Sequence, residues 1–138
     1  MTILDVTDKA NPVQLSRTSY PDVHYTHQGW LTEDHNTFVF GDESDELAES
    51  NPSKTFIMDV RDLLAPTITY HLSPEFAIDH NIYIKGDKVY QANYDAGLRI
   101  LKTTAGPGGT GLEEHRYFDV RPESNGPSTY IVFMCPFH

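Results

Sequence analysis

The feature that most constrains this chain is an internal repeat. The block from Ile78 to Leu101 restates, in different letters, a segment that begins near His27. Within the block Ile78, Ile82 and Ile84 alternate with polar or aromatic neighbours, Gly86-Asp87 turns the chain, and Val89 to Tyr94 runs back, which is the pattern of a β-hairpin. A second turn, Asp95-Ala96-Gly97, offers the positive φ that glycine adopts cheaply, and Leu98 to Leu101 follows as a third strand. His27-Gln28-Gly29-Trp30-Leu31 lies over His80-Asn81-Ile82-Tyr83-Ile84 at an offset of 53 residues: a His, an amide, an aromatic fourth and an aliphatic fifth. Phe38 to Asp42 lies over Val89 to Asn93 at an offset of 51, and Ile57-Met58-Asp59 over Ile100-Leu101-Lys102 at 43. The changes in offset fall in turns, where repeats tolerate insertion.

A third echo fixes the unit. Ile3 to Val13 matches Ile57 to Thr67 in its aliphatic strand, its D-V-x-D turn and its proline. Proline can open the following strand because its missing N–H costs little there. Four strands in about 40 to 50 residues is the period of a propeller blade. The predicted fold is therefore all-β: a partial β-propeller of two complete four-stranded antiparallel blades with flanking half-blades, in a single domain.

Residues 1–18 read as the last two strands of a blade, with Val13 to Arg17 as the outer strand. The first complete blade spans 24–72, with strands near His27–Thr32, Thr37–Asp42, Lys54–Val60 and Thr67–Leu72. The second spans 78–120, with strands near Asp79–Ile84, Lys88–Asn93, Leu98–Thr103 and Glu114–Val120. Residues 121–138 open a further blade or form a frayed end. Gly106 to Gly111 reads as a plain flexible link, since it lacks the Lys-Ser/Thr ending and the helix of a phosphate-binding loop.

The motifs also resemble a known family. Tyr25 to Asp34, Gly41-Asp42-Glu43, Asp59 to Leu63, Ile78-Asp79-His80-Asn81, Gln91 to Tyr94 and Gly97-Leu98-Arg99 resemble the LVIVD-repeat β-propellers, and within them the secreted bacterial choice-of-anchor B proteins. The resemblance covers roughly the first 120 residues. It implies an extracellular or cell-surface location, with any export signal upstream of the sequence in hand. It leaves the activity open.

Composition excludes some functions. Ten basic against twenty acidic residues give a net charge of −10, which repels phosphate backbones and anionic lipid heads, so nucleic acid is not an expected partner. No run approaches the ~20 apolar residues of a membrane helix. Cys135 has no partner for an internal disulfide and reads as a small buried hydrophobe. Closure gives a further expectation: propellers need about four or more blades to wrap a channel. The chain is thus expected to belong to a longer polypeptide or to pack its open ends against other copies in an assembly.

First strands of blades line the channel, so His27 and His80 are expected to converge near the axis. Two imidazoles so placed can hold a transition metal or exchange protons, or each can simply hydrogen-bond a neighbouring strand. Asp42 and Asn93 form a second equivalent pair at strand ends, where such residues also cap turns. The candidate binding residues are His27, Gln28, Asp79, His80, Asn81, Asn93 and Arg99; His80, Asp42 and Arg99 are the candidates for catalysis. His27, His80, Asp42 and Glu43 are the candidate metal ligands. The loop Asp42 to Pro52 carries five carboxylates, and reads either as a solvated loop kept soluble by charge or as a calcium site. A noncatalytic binding or scaffold module is the favoured function. A hydrolase-like enzyme at the channel mouth and an architectural subunit of an extracellular polymer are the alternatives.

Overall fold

The computed structural model describes residues 1–106, 109–124 and 126–127. It is all-β, with antiparallel sheets in the blade arrangement that the repeat predicts. β1 (Thr2–Asp5) and β2 (Val13–Arg17) form a two-stranded sheet. β3 (Thr26–Leu31), β4 (Thr37–Asp42), β5 (Lys54–Asp59) and β6 (Thr67–Leu72) form the first four-stranded meander. β7 (Ile82–Lys85), β8 (Lys88–Asn93), β9 (Gly97–Gly106) and β10 (Gly109–Phe118) form the second.

Strand register follows the repeat. Phe38 pairs with Met58 as Val89 pairs with Leu101, and Phe40 with Phe56 as Gln91 with Arg99. Alternation then assigns the faces. Phe40, Phe56, Met58, Val60 and Tyr20 form an aromatic-rich core, against which Met1 and Ile3 of the first sheet pack. Val39, on the opposite face of β4, joins Ile82, Ile84, Val89 and Leu101 in a second core between the two blades. The first blade therefore buries apolar side chains on both faces, as a sheet sandwiched between neighbours does.

The turns obey their residues: Gly86 and Gly97 take φ of +59° and +74°. At Gly97 a side chain would also collide with the Phe118 carbonyl, 2.2 Å from where its Cβ would lie. Two expectations need correction. The glycine-rich stretch is not a loose link, because Gly106 pairs with Gly109 and Gly111 with Thr104, extending the β9–β10 hairpin to ten residues a strand. The acidic stretch after β4 is not a solvated loop either. It winds into a short helix, α1 (Asp45–Glu49), whose first-turn acids suit the helix dipole and whose chain exits through Ser50 in a left-handed conformation. Residues 128–138, within the stretch read as the start of a further blade or a frayed end, lie outside the described residues, and so does Cys135.

Candidate metal centre at the blade junction

β3 and β7, the first strands of the two blades, run side by side without a ladder between them. Gln28 replaces the ladder: its amide accepts from the Ile82 N–H and donates to the Ile82 carbonyl at 2.9 Å. This fixes the two strands in register, and Trp30 meets Tyr83 with ring centroids 5.1 Å apart. It also brings the repeat-equivalent histidines together. The His27 and His80 rings stack at 4.4 Å between centroids, inclined by 25°.

Glu43, one residue past β4, closes the arrangement. Its Oε2 lies 3.2 Å from His27 Nδ1 and its Oε1 3.4 Å from His80 Nε2. The Tyr94 phenol donates to the same Oε1, and the Tyr94 ring stands edge-on to His80 at 5.4 Å. Glu43 and Tyr94 are themselves repeat equivalents, one residue beyond Asp42 and Asn93. The site thus takes two side chains from each blade, at two repeat positions.

The electrostatics favour a cation among these groups. His27 Nε2 lies 3.2 Å from Asn81 Oδ1, which leaves Nδ1 on the side of the Glu43 carboxylate. Burial lowers the His80 pKa; Glu43 opposes that shift and His27 adds to it. Burial, and then the hydrogen bond to Glu43, raise that of Tyr94. His80 Nδ1 is buried without a partner among the described residues. One ligand atom from each of His27, Glu43 and His80 lies within 4.8 Å of the other two. Two imidazoles with one carboxylate is a donor set that transition metals accept, and bonds of about 2.0 to 2.2 Å would draw these atoms slightly inward onto an ion.

The other candidates go elsewhere. Asp42 is fully buried and takes hydrogen bonds from the Tyr20 hydroxyl at 2.9 Å and from the His24 and Tyr25 amides at 2.8 and 2.6 Å. It ties the segment before β3 to the blade, so it is not offered to an ion. Asn93 is buried with neither side-chain polar atom partnered among the described residues. Arg99 is 3% exposed, pairs with Glu75 at 3.3 Å and Glu114 at 3.2 Å, and lies over the Tyr117 ring. It is built into the second blade.

Asp79 is fully buried; Gln91 donates to its Oδ2 at 3.1 Å, and its own amide approaches Glu46 Oε1 at 3.4 Å. A Cβ on Gly41 would stand 2.3 Å from that Oδ2, so glycine makes the space for this carboxyl. Asp45 and Glu46 stand side by side, buried near Asp42 and Asp79, and the five carboxylates of the acidic stretch take these partners. Asp42 and Glu43 go as described, Asp45 to Lys54 at 3.5 Å, Glu46 to the Asp79 amide and Glu49 to His24 at 3.1 Å. Of the five, Glu43 is the one that belongs to a group of three metal-type side chains close enough to share an ion among the described residues. Among the described residues the one convergence of metal-type side chains is at His27, Glu43 and His80.

Sequence reasoning missed Tyr94. The signal was present, because the offset of 51 that equates Asp42 with Asn93 equates Glu43 with Tyr94. No family model, no curated protein and no solved structure matches the chain.

Proposed function

We propose that the protein is a noncatalytic binding and scaffold module of propeller blades, stabilised by a divalent transition-metal ion at the blade junction. His27 Nδ1, His80 Nε2 and a Glu43 oxygen are its ligands. The observation that carries this reading is that two imidazoles from different blades meet on one half-buried carboxylate. Nitrogen donors favour a zinc-class ion over calcium. An ion shared between blades fastens one to the other, which is a structural use. The noncatalytic half is supported by Asp42 and Arg99. A hydrolytic reading needs them as acid and cation, and their charged groups are already committed to other partners.

The resemblance to secreted LVIVD-repeat proteins supports a place outside the cell. The exposed Tyr117 and Phe118 at the edge of the second blade support packing against further blades, of the same polypeptide or of another copy. No helix among the described residues is long and apolar enough to cross a membrane.

Cobalt and zinc titration of the full chain tests the reading. One ion per chain is expected, with a cobalt ligand-field spectrum and a melting temperature that rises with metal concentration. Saturation at a hundred times Kd is worth about 2.7 kcal/mol. His80→Ala should abolish both signals. A wild type that binds cobalt no better than the His27→Ala/His80→Ala protein overturns it.

A further inference from the structure

At the end of the strands opposite the histidines, the two blades part around an open cleft of about 510 Å³. Small-molecule sites span about 300 to 1,000 Å³. Resting on the binding half of the reading above and not on its ion, we infer that this cleft is a binding site for a neutral saccharide.

One wall is an overhang. Lys102 is the last residue of β9 that pairs with β8, opposite Lys88. Past it, Thr103 to Gly106 pairs only with Gly109 to Leu112, so the β9–β10 hairpin runs on beyond its own blade. The equivalent hairpin of the first blade stops level with β4, at Asp59 and Thr67. A two-stranded extension is marginal by itself. This one is tied to the first blade by a hydrogen bond of 2.8 Å between the Thr110 and Thr37 hydroxyls, and it presents Thr103, Thr104 and Ala105 to the cleft. A Cβ on Gly109 would lie 3.4 Å from Asp59 Oδ2 and 3.7 Å from Arg61 Nη2, so a longer side chain there would bridge the gap that glycine keeps open.

The other wall is polar and already in place. Arg61 Nε donates to both oxygens of Asp59 at 3.0 Å, which holds the guanidinium while its Nη1 has no hydrogen-bond partner among the described residues. Asp34 is fixed by the Thr32 hydroxyl at 2.6 Å and by the Asn36 amide nitrogen at 2.9 Å. Groups held in position beforehand lose little freedom when a ligand arrives.

The lining then selects the ligand. Ala105 is its one apolar side chain among the described residues, so an apolar molecule gains nothing there. Asp34 and Asp59 outnumber Arg61 in a chain of net charge −10, which repels phosphates and carboxylates. A cation would have to displace Arg61 from Asp59. What remains is carboxylate oxygens that accept, a guanidinium nitrogen that donates, and threonine hydroxyls that do either. Sugar hydroxyls also donate and accept, and a ring that carries several in a row matches this mixture.

The test is a titration of the isotopically labelled full chain with maltose, cellobiose, lactose and N,N′-diacetylchitobiose, followed by backbone amide shifts in nuclear magnetic resonance. At least one sugar should give saturable shifts at Arg61, Thr104 and Thr110. Arg61→Ala, at an exposed residue, should weaken that sugar about tenfold or more, and Thr104→Val, which removes only the hydroxyl, about threefold or more. Inorganic phosphate and free lysine serve as the charged probes and should give no saturable shifts in the cleft. No saturable shift with any of the four sugars, shifts that map elsewhere, binding that either variant leaves unchanged, or saturation by a charged probe alone overturns the saccharide site and leaves the cobalt titration standing. Sugar bound in the cleft of a chain that binds no cobalt overturns the ion and not the cleft. If one variant does not fold, the wild-type shift map and the other variant still decide.

Discussion

Glu46 sits in the first turn of α1 at 1% exposure, beside Asp45 at 1% and Asp79 at zero. The nearby cation, Lys54, lies 3.5 Å from both Asp45 and Asp22 and does not reach Glu46 with an ion pair. Burial first, and then the charge of Asp45, push the Glu46 carboxyl up from its ordinary 4.5 to about 8. The folded protein therefore holds a proton that the unfolded chain releases near pH 4.5. Between these values the folded state binds more protons, so this group's contribution is complete below about pH 4.5 and is lost as pH rises toward 8. At about 1.4 kcal/mol for each pH unit, the whole interval is worth up to about 5 kcal/mol, and water entering a partly opened junction reduces it to about 2 to 5.

Glu46→Gln copies the protonated side chain and cannot ionise. The variant should equal the wild type near pH 4.5 and exceed it by about 2 to 5 kcal/mol at pH 8. Burial and the charges of Glu46, Asp45 and Asp42 also raise the Asp79 carboxyl well above the ordinary range, so some decline with pH remains in the variant. Urea unfolding of both proteins at pH 5, 6, 7 and 8 measures the difference. Stabilities that run parallel across this range would refute the argument, because the general self-repulsion of an acidic chain acts on both proteins alike.

Three other perturbations read the same junctions. Gly41→Ala drives a methyl group onto the Asp79 carboxyl and should cost about 1 to 3 kcal/mol, seen as a lowered melting temperature; an unchanged value would mean that the carboxyl moves freely. Phe40→Ala removes a fully buried ring that stacks with Phe38 and Phe56 and should cost about 3 to 5 kcal/mol in urea unfolding. Gln28→Ala strips the Ile82 N–H and carbonyl of their partner, with an expected loss of about 1 to 3 kcal/mol and faster hydrogen exchange at the Ile82 amide. Exchange that stays slow would show that another group carries the bridge.

The blades were legible because a repeat reports geometry twice. Offsets read from letters alone equate Phe38 with Val89 and Met58 with Leu101, and the ladders agree, since Phe38 pairs with Met58 as Val89 pairs with Leu101. The histidines were legible by the same logic. Burial of charge was not. Asp45 and Glu46 stand in a stretch whose composition resembles solvated loop, and they are buried by Asp79, more than thirty residues away, and by Lys54 on β5. Nothing local to the acidic stretch encodes that contact. Arg99 misled for a related reason, since an arginine beside site motifs suggests a ligand-facing cation. Its repeat equivalent, however, is the core residue Phe56, and the position is interior in both blades.

That equivalence also explains why the candidate site lies at one junction and not the other. The row that reads Phe40 and Phe56 on the first blade reads Gln91 and Arg99 on the second. Facing the first sheet, the row is aromatic and closes a dry seam with Tyr20, Met58 and Ile3. Facing the first blade, the same geometry carries a polar chain: Thr55 donates to Gln91 at 3.0 Å, and Gln91 donates to Asp79 at 3.1 Å. Asp79 precedes His80, which turns to Glu43 and His27. A dry seam fills itself with carbon and leaves an ion no donors. A polar seam must satisfy each buried group, and at its open end it accumulates oxygen and nitrogen atoms that the two blades cannot fully pair with each other. The two junctions thus share one row geometry, filled by aromatic rings at one and by a polar chain that ends beside His80 at the other.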